Sequence, residues 1–188
     1  MDALLTTFVA AALAEWGDKT QLLVIALALR YRRPLPVLAG IFIAALANSL
    51  IAAFGGTFVH DMITLRAVSL LVALALVFAG VAGLIRPKPY ESSGTSRAGP
   101  FLVAAASFFV LEFGDKTQFL TFAISAQFDA FALAAAGATA GVMVSNVPAA
   151  LLGEQLAGTV PLKAIRIGLG ALFLLIGLVV GVNALRLV

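Results

Sequence analysis

A seven-residue string of charged and polar side chains occurs twice in this chain, each time within a long apolar stretch. The copies are Glu15-Trp16-Gly17-Asp18-Lys19-Thr20-Gln21 and Glu112-Phe113-Gly114-Asp115-Lys116-Thr117-Gln118, 97 residues apart. An ionisable side chain in hydrocarbon costs about 2.5–3.5 kcal/mol even on lenient insertion scales. Two carboxylates and a lysine placed there twice therefore indicate a functional site.

Within each string, the spacing places the acids on one face of a continuous helix. Glu15 and Asp18 are three residues apart, and Gln21 continues their face by another turn. Lys19 follows Glu15 by four residues, close enough to pair with it. Gly17 lowers the helix propensity beside the acids, so we expect the helix to open there and offer backbone carbonyls to a cavity. The second string has the same spacing.

If the helices that carry the two strings meet, four carboxylates and two lysines converge with a net formal charge of −2. One divalent cation or two protons would neutralise this charge, but not both together. Such a site is the minimal device for exchanging a metal ion against protons. The candidate cation and proton ligands are Glu15, Asp18, Glu112 and Asp115, and the supporting candidates are Lys19, Thr20, Gln21, Lys116, Thr117, Gln118, Asn48 and Asn146.

The available side chains narrow the choice of cation. Carboxylate and carboxamide oxygens suit Ca²⁺, Mn²⁺ or Mg²⁺, whereas Zn²⁺ and Cu⁺ favour Cys and His. The chain has no cysteine, and its single histidine, His60, falls in a predicted loop. Because Mg²⁺ gives up water reluctantly, a partly dehydrated site favours Ca²⁺ or Mn²⁺, carried as substrate rather than held as a cofactor.

The same residues also have purely structural interpretations. The acids and lysines could form internal salt bridges that hold helices together, although excess negative charge would remain after pairing. The threonines, glutamines and asparagines could serve as interhelical hydrogen-bonding groups.

The composition is that of a membrane protein. Of 188 residues, 62% are hydrophobic and 11% are charged, and the mean hydropathy is +1.11. A soluble domain of this size could not bury so much apolar surface. About 20 apolar residues cross a bilayer core as helix. Six stretches qualify, two of them interrupted by the strings, and Pro148 predicts a kink in the fifth; they are residues 3–29, 34–59, 67–85, 101–126, 130–153 and 167–185.

Basic residues in the predicted loops set the orientation. Eight lie in one set of loops and two in the other, so the positive-inside rule makes the first set cytoplasmic and places both termini outside. The three spans of each half then run in opposite directions, as in many secondary transporters. The predicted organisation is a three-helix repeat at 1–86, a cytoplasmic linker at 87–100 and a second, inverted repeat at 101–188.

Further residues recur at corresponding positions of the two halves. Asn48 matches Asn146, 98 residues later, and Arg66 and Arg166 begin the third and sixth spans. These two spans also carry small residues at the spacing typical of helix–helix interfaces, which are Gly80, Gly83, Gly177 and Gly181.

Several other classes of protein are disfavoured. The N-terminus lacks a basic region, and Glu15 and Asp18 interrupt the first apolar stretch, so we expect no cleaved signal peptide. The lack of cysteine excludes disulfides and thiolate metal sites. No basic stripe with interleaved aromatic residues predicts nucleic-acid binding. We expect a multi-pass protein of a bacterial inner membrane, surrounded by lipid, and a homo-oligomer is compatible with the sequence.

The doubled pattern Glu-x-Gly-Asp-(Lys/Arg)-(Thr/Ser), at 15–20 and 112–117, resembles the motif of a family of membrane cation exchangers. That family includes Golgi manganese/calcium–proton transporters and bacterial manganese exporters. The resemblance covers the whole chain and implies exchange of Mn²⁺ or Ca²⁺ against protons. It assigns cation binding to Glu15, Asp18, Glu112 and Asp115. The chain departs from larger relatives in its short central linker.

The sequence therefore predicts an all-α integral membrane protein with six transmembrane helices in two inverted three-helix repeats. We expect a secondary transporter, not an enzyme, that exports Mn²⁺ first and Ca²⁺ second in exchange for protons. Three alternatives stay open. An exporter of an organic cation such as a basic amino acid would bind the cation over aromatic rings, and Trp16 and Phe113 are the aromatic residues of the strings. An intramembrane aspartyl protease would pair Asp18 with Asp115 through a shared proton, and a channel would need no pH-driven exchange.

Overall fold

The computed structural model describes residues 1–85 and 98–185, apart from the side chains of residues 154, 156 and 157. All regular structure in these ranges is helical, which confirms the predicted all-α class. The helices of these ranges are α1 (Asp2–Glu15), α2 (Lys19–Tyr31), α3 (Pro34–His60), α4 (Leu65–Leu84), α5 (Pro100–Glu112), α6 (Lys116–Phe128), α7 (Phe131–Thr159) and α8 (Leu162–Leu185).

Local sequence explains where several helices begin and end. Pro34 and Pro100 occupy the first turn of α3 and α5, where the missing N–H of proline costs nothing. Thr64 caps α4, because its hydroxyl oxygen accepts a hydrogen bond from the Ala67 N–H at 3.3 Å. Arg32 ends α2 in the left-handed region with a φ of 50°. These signals stand at the borders of the apolar stretches that the composition identifies.

Four of the six predicted spans are single long helices. In the described ranges, α3, α4, α8 and the segment Phe131–Gly153 of α7 are long and apolar enough to cross a membrane. The predicted spans at 3–29 and 101–126 are instead divided, the first into α1 and α2 and the second into α5 and α6. Each repeated string is the point of division.

The interior of the protein is built from small side chains. Alanine is the commonest of the buried apolar residues, while many leucine, isoleucine, valine and phenylalanine side chains are exposed. Water would penalise that exposure, but lipid tails solvate such side chains and leave small residues to bring the helices close together. The distribution is that of a chain folded in a bilayer.

The long helix of each half packs against the broken helix of the other half. Gly137 of α7 lies directly against the Leu4 carbonyl of α1, and Gly40 of α3 lies directly against the Phe101 carbonyl of α5. A side chain at either glycine would collide with the facing backbone, so these contacts need glycine. The broken helix at the start of each half is therefore packed on the long helix of the opposite half.

The helices α4 and α8 form an antiparallel pair that is fastened at both ends. Arg66 donates to the Ala184 and Leu185 carbonyl oxygens at 2.8 and 2.9 Å. Arg166 donates to the Ile85 carbonyl oxygen at 2.8 Å. Each arginine at the start of one helix thus satisfies free carbonyls at the C-terminal end of the other.

One local prediction is wrong. His60 does not lie in a loop, because it is the last residue of α3 and its Nδ1 lies 2.6 Å from the Ala126 carbonyl oxygen. A separate interruption of α7 falls at Gly153, which has a φ of 44°, while Pro148 lies inside the helix and the kink predicted there stays a prediction. Glycine adopts a positive φ without the steric penalty that other residues meet, so the helix yields at Gly153.

The predicted linker at 87–100 lies mostly outside the described residues. Its last three residues are described, and the last of them, Pro100, begins α5. The division at 86 and 101 stays a prediction.

Replacing Gly80 with leucine should destabilise the α4–α8 pair. The first added carbon would stand 2.8 Å from the Gly170 carbonyl oxygen and 2.7 Å from the Leu174 nitrogen. Overpacking of this kind costs about 1–3 kcal/mol, which would appear as a lower melting temperature of the purified protein in detergent. Gly168→Leu is the matched control, since no atom lies within 4 Å of its Cβ position. Equal melting temperatures for the two variants would contradict the tight packing described here.

Candidate functional site

Both repeated strings interrupt their helix in the same way. The first helix ends at the glutamate and the second begins at the lysine, with the aspartate as its N-cap residue. Gly17 and Gly114 adopt φ values of 74° and 76°, a region that favours glycine. The expected opening of the helix is confirmed. The expected shared face of acids on a continuous helix is wrong, because three non-helical residues separate each glutamate from its lysine.

The glutamine of each string holds the break in place. The Gly17 N–H donates to Gln21 Oε1 at 2.9 Å, and the Gly114 N–H donates to Gln118 Oε1 at 2.6 Å. The Gln21 amide N–H donates in turn to the Ser145 carbonyl oxygen of α7 at 3.0 Å. These amide oxygens therefore accept from the backbone of their own string and do not continue a face of acids.

The lysine of each string pairs with the aspartate of the other string. Lys19 Nζ lies 2.6 Å from Asp115 Oδ1. Lys116 Nζ forms an ion pair with Asp18 and lies 3.4 Å from the second oxygen of Asp115. The expected pairing of Lys19 with Glu15 is wrong, because the break at Gly17 turns the lysine toward the other string. The two strings do meet, as their repetition led us to expect.

The two glutamates have the same place in the sequence but different surroundings. Glu15 is fully buried and accepts two hydrogen bonds, from Thr20 at 2.7 Å and from Thr117 at 2.6 Å. Glu112 is 2% exposed, and neither of its carboxylate oxygens has a hydrogen-bond partner within the described residues. Thr117 thus serves the glutamate of the opposite string.

The aspartates are held by ion pairs with lysine, and the four carboxylates do not surround one common metal-binding position. In the described ranges, no group of three or more His, Cys, Asp or Glu side chains is arranged to hold one metal ion. Asp18 and Asp115 both approach the ammonium group of Lys116. An aspartyl protease needs two carboxyls that share a proton, so this arrangement disfavours that alternative. The assignment of cation binding to the four acids stays a proposal.

The matched asparagines are both buried. The Asn48 amide N–H donates to the Phe109 carbonyl oxygen of α5 at 3.2 Å, and that of Asn146 donates to the Val142 carbonyl oxygen of its own helix at 2.9 Å. Gln118 lies 3.4 Å from Asn48 Oδ1. Asn48 therefore adjoins the second string, while the Asn146 Oδ1 atom has no hydrogen-bond partner within the described residues.

The two breaks differ in how they are covered. Gly17 lies against α8, where a Cβ would stand 2.6 Å from the Leu162 carbonyl oxygen and 3.0 Å from Arg166 Cβ. Nothing lies within 4 Å of the corresponding position at Gly114. A cavity of about 630 Å³ between α3, α4 and α6 reaches Gly114, Asp115 and Gln118. The second string therefore adjoins a large cavity.

Sequence reasoning missed two polar residues beside the second string. Ser49 and Thr121 line a small cavity together with Glu112 and Asn48. Their positions carried a signal, since Thr121 stands one helical turn after Thr117 and Ser49 adjoins Asn48. Neither recurs in the other half, so the search for repeated residues passed over them.

Apolar helices with an exposed aliphatic surface, and two broken helices with buried ion pairs between them, define a multi-pass membrane protein of the secondary-transporter class. The family model described as "Divalent cation/proton antiporter GDT1" matches residues 3–90 and again residues 100–187. The chain belongs to this family. The family resemblance of the doubled motif is thereby confirmed, and the chain is a divalent cation transporter of the antiporter type.

A similar protein from Vibrio cholerae serotype O1 carries the name "Putative manganese exporter". It is 42% identical over 180 residues, which span 95% of this chain and 90% of the relative. No solved structure matches the chain. The family and the relative are transporters, not enzymes.

The two lysines should differ in their contribution to stability. The Lys116 side chain is 5% exposed and that of Lys19 is 33% exposed. Lys116→Met leaves buried carboxylates uncompensated, which costs about 3–5 kcal/mol. Lys19→Met should cost on the order of 1 kcal/mol, because water screens the more exposed pair. Thermal unfolding in detergent measures both, and a Lys19 variant that melts at or below the Lys116 variant would refute the ranking.

Proposed function

We propose that this chain exports Mn²⁺, and Ca²⁺ with lower preference, in exchange for protons. The family to which the chain belongs supports exchange of a divalent cation against protons, and the name of the Vibrio relative supports manganese as the cation. The proposed ligands for cation and protons are Glu15, Asp18, Glu112 and Asp115. Lysines, threonines, glutamines and asparagines support them.

The observation that carries the proposal is the reciprocal ion pairing of the two strings. Lys19 and Lys116 neutralise Asp115 and Asp18 across the contact between the halves. The two glutamates remain as further carboxylates, both buried. Four acids and two lysines leave a formal charge of −2 in a low-dielectric site, which is a charge that one divalent cation or two protons can balance.

Cation, proton and lysine compete for the same carboxylates in the proposed mechanism. A divalent ion enters while the acids are ionised and displaces a lysine from its aspartate. The freed ammonium group stays in the site, so the four carboxylates, the two lysines and the divalent ion together carry no net formal charge. Protons that arrive from the other face then neutralise the acids, weaken the metal's ligands and release it. The lysines return to the aspartates when the protons leave.

The donor set supports manganese and calcium over softer ions. The acceptor groups that the two strings bring together are the oxygens of carboxylates, hydroxyls, carboxamides and backbone carbonyls. Oxygen donors of this kind suit Ca²⁺ and Mn²⁺, whereas Zn²⁺ and Cu⁺ prefer imidazole and thiolate. Oxygen chemistry and the relative's name therefore agree.

We further propose six membrane spans arranged as two inverted three-helix repeats, at 1–86 and 101–188, with the linker 87–100 on the cytoplasmic side of a bacterial inner membrane. The two separate matches of the family model support the repeat. So do the reciprocal clamps that Arg66 and Arg166 make on α8 and α4. Each divided helix pair counts as one interrupted span in this proposal, and the distribution of basic residues among the loops supports an outside position for both termini.

Neutralising the aspartates should stop exchange. Asp18→Asn and Asp115→Asn keep the side-chain shape but remove the charge that binds the cation, so we expect Mn²⁺ uptake to fall by on the order of 100-fold. The assay is uptake into proteoliposomes with an acidic lumen, where leaving protons drive entry of the metal. Asp61→Asn is the matched control, because this exposed residue follows α3 and lies outside the strings.

Intact metal flux in both aspartate variants would refute the proposed site. A wild-type Mn²⁺ flux that does not change when a pH gradient is imposed would favour the channel alternative. Inhibition of Mn²⁺ uptake by lysine or arginine would instead favour an exporter of organic cations.

A further inference from the structure

A small chamber beside the second string has the dimensions of a site for a single ion. It has a volume of about 10 Å³ and lies between α3, α6 and the end of α5, which is room for roughly one water-sized particle. Its polar lining is Glu112, Thr117 and Gln118 of the string together with Asn48, Ser49 and Thr121. Two apolar side chains complete the wall.

The hydroxyl protons of the two threonines in the lining are committed elsewhere. Thr117 donates its hydroxyl proton to Glu15 at 2.6 Å, and Thr121 donates to the Thr117 carbonyl oxygen at 2.8 Å. The Asn48 amide N–H donates to the Phe109 carbonyl oxygen, and its Oδ1 accepts one long hydrogen bond from the Gln118 amide at 3.4 Å, which leaves its second lone pair. A hydroxyl group has one proton and two lone pairs, so these groups leave lone pairs for the chamber. Such a lining attracts a cation.

Glu112 is the charged group of this chamber. Its side chain is 2% exposed, and both carboxylate oxygens lack hydrogen-bond partners within the described residues. An ionised carboxylate buried without partners is costly, and a cation beside it would remove that cost. This observation is independent of the chamber's shape and points to the same ligand.

The residues that correspond to this lining beside the first string are different. The positions that correspond to Ser49 and Thr121 hold Val147 and Val24, at the same offsets of 98 and 97 residues that relate the asparagines and the strings. The counterpart of Glu112 already accepts hydrogen bonds on both oxygens, from Thr20 and Thr117. The hydroxyl oxygens of Ser49 and Thr121 therefore have no counterpart at the corresponding positions beside the first string.

We infer that Thr121 and Ser49 are specificity-determining ligands for the transported cation. Their hydroxyl oxygens complete an oxygen site with Glu112 and Asn48 beside the second string, an assignment that rests on the proposed function. Neutral oxygens raise the number of ligands without adding charge. That favours Ca²⁺ and Mn²⁺ over Mg²⁺, which keeps several of its waters and is seldom held in an all-protein cage.

The test compares a threonine that lines the chamber with a similar threonine that does not. Thr121 and Thr139 are both buried, and each donates its hydroxyl proton to the carbonyl four residues earlier at 2.8 Å. Thr121→Val should raise the apparent KM for Mn²⁺ about tenfold at unchanged maximal rate and should increase inhibition by Mg²⁺. Thr139→Val should change neither quantity. Equilibrium binding of Mn²⁺, followed by electron paramagnetic resonance of the free ion, should weaken by the same factor in Thr121→Val only.

Equal behaviour of the two valine variants would show that Thr121 serves only the helix and would overturn the inference. If the melting temperature shows that Thr121→Val is misfolded, Ser49→Ala takes its place, with the same expected rise in KM and in Mg²⁺ inhibition. Wild-type affinity and selectivity in both variants, alongside loss of flux in Asp115→Asn, would reject the chamber while the proposed function stands. Intact flux in Asp115→Asn would reject the proposed function itself.

Discussion

Ion pairing between the two repeated strings is the constraint on which the rest of the structure depends. A lysine or an aspartate buried among apolar helices must find an opposite charge, and here each finds it on the other string, as in the pair of Lys19 with Asp115 at 2.6 Å. Reciprocal pairing requires the two strings to touch. It also requires breaks at Gly17 and Gly114, because a continuous helix would direct each lysine toward its own glutamate.

The remaining helices follow from that central contact. The long helices α3 and α7 lie on the broken helices of the opposite half, with glycines at the closest approaches, while α4 and α8 form a separate pair fastened by arginines at both ends. This pair does not treat the halves alike. Its α8 member covers the break at Gly17, whereas a large cavity reaches Gly114 and Asp115. Chemically similar strings thus occupy unequal surroundings in one conformation.

The unequal surroundings of the two strings suit the exchange of a divalent cation against protons. An antiporter needs one set of ligands to meet different ions at different times and from different sides. Here the aspartates are balanced by lysines, Glu15 by two threonines, and Glu112 by no hydrogen-bond donor among the described residues. Carboxylates of identical type are therefore held ready in distinct environments, and the neutral oxygens beside Glu112 distinguish one of them further.

Composition and the spacing of repeated residues were enough to predict the membrane class, four of the long helices and the family, and they made the meeting of the strings a condition of the proposed site. The sequence also led us to expect an opening at the glycines. The fold was needed to show which lysine pairs with which aspartate, which glutamate accepts hydrogen bonds from both threonines, and which break α8 covers. These partners lie about a hundred residues apart, and the two halves have nearly the same local pattern. Local pattern cannot distinguish two such copies, whereas packing of the long helices against them does.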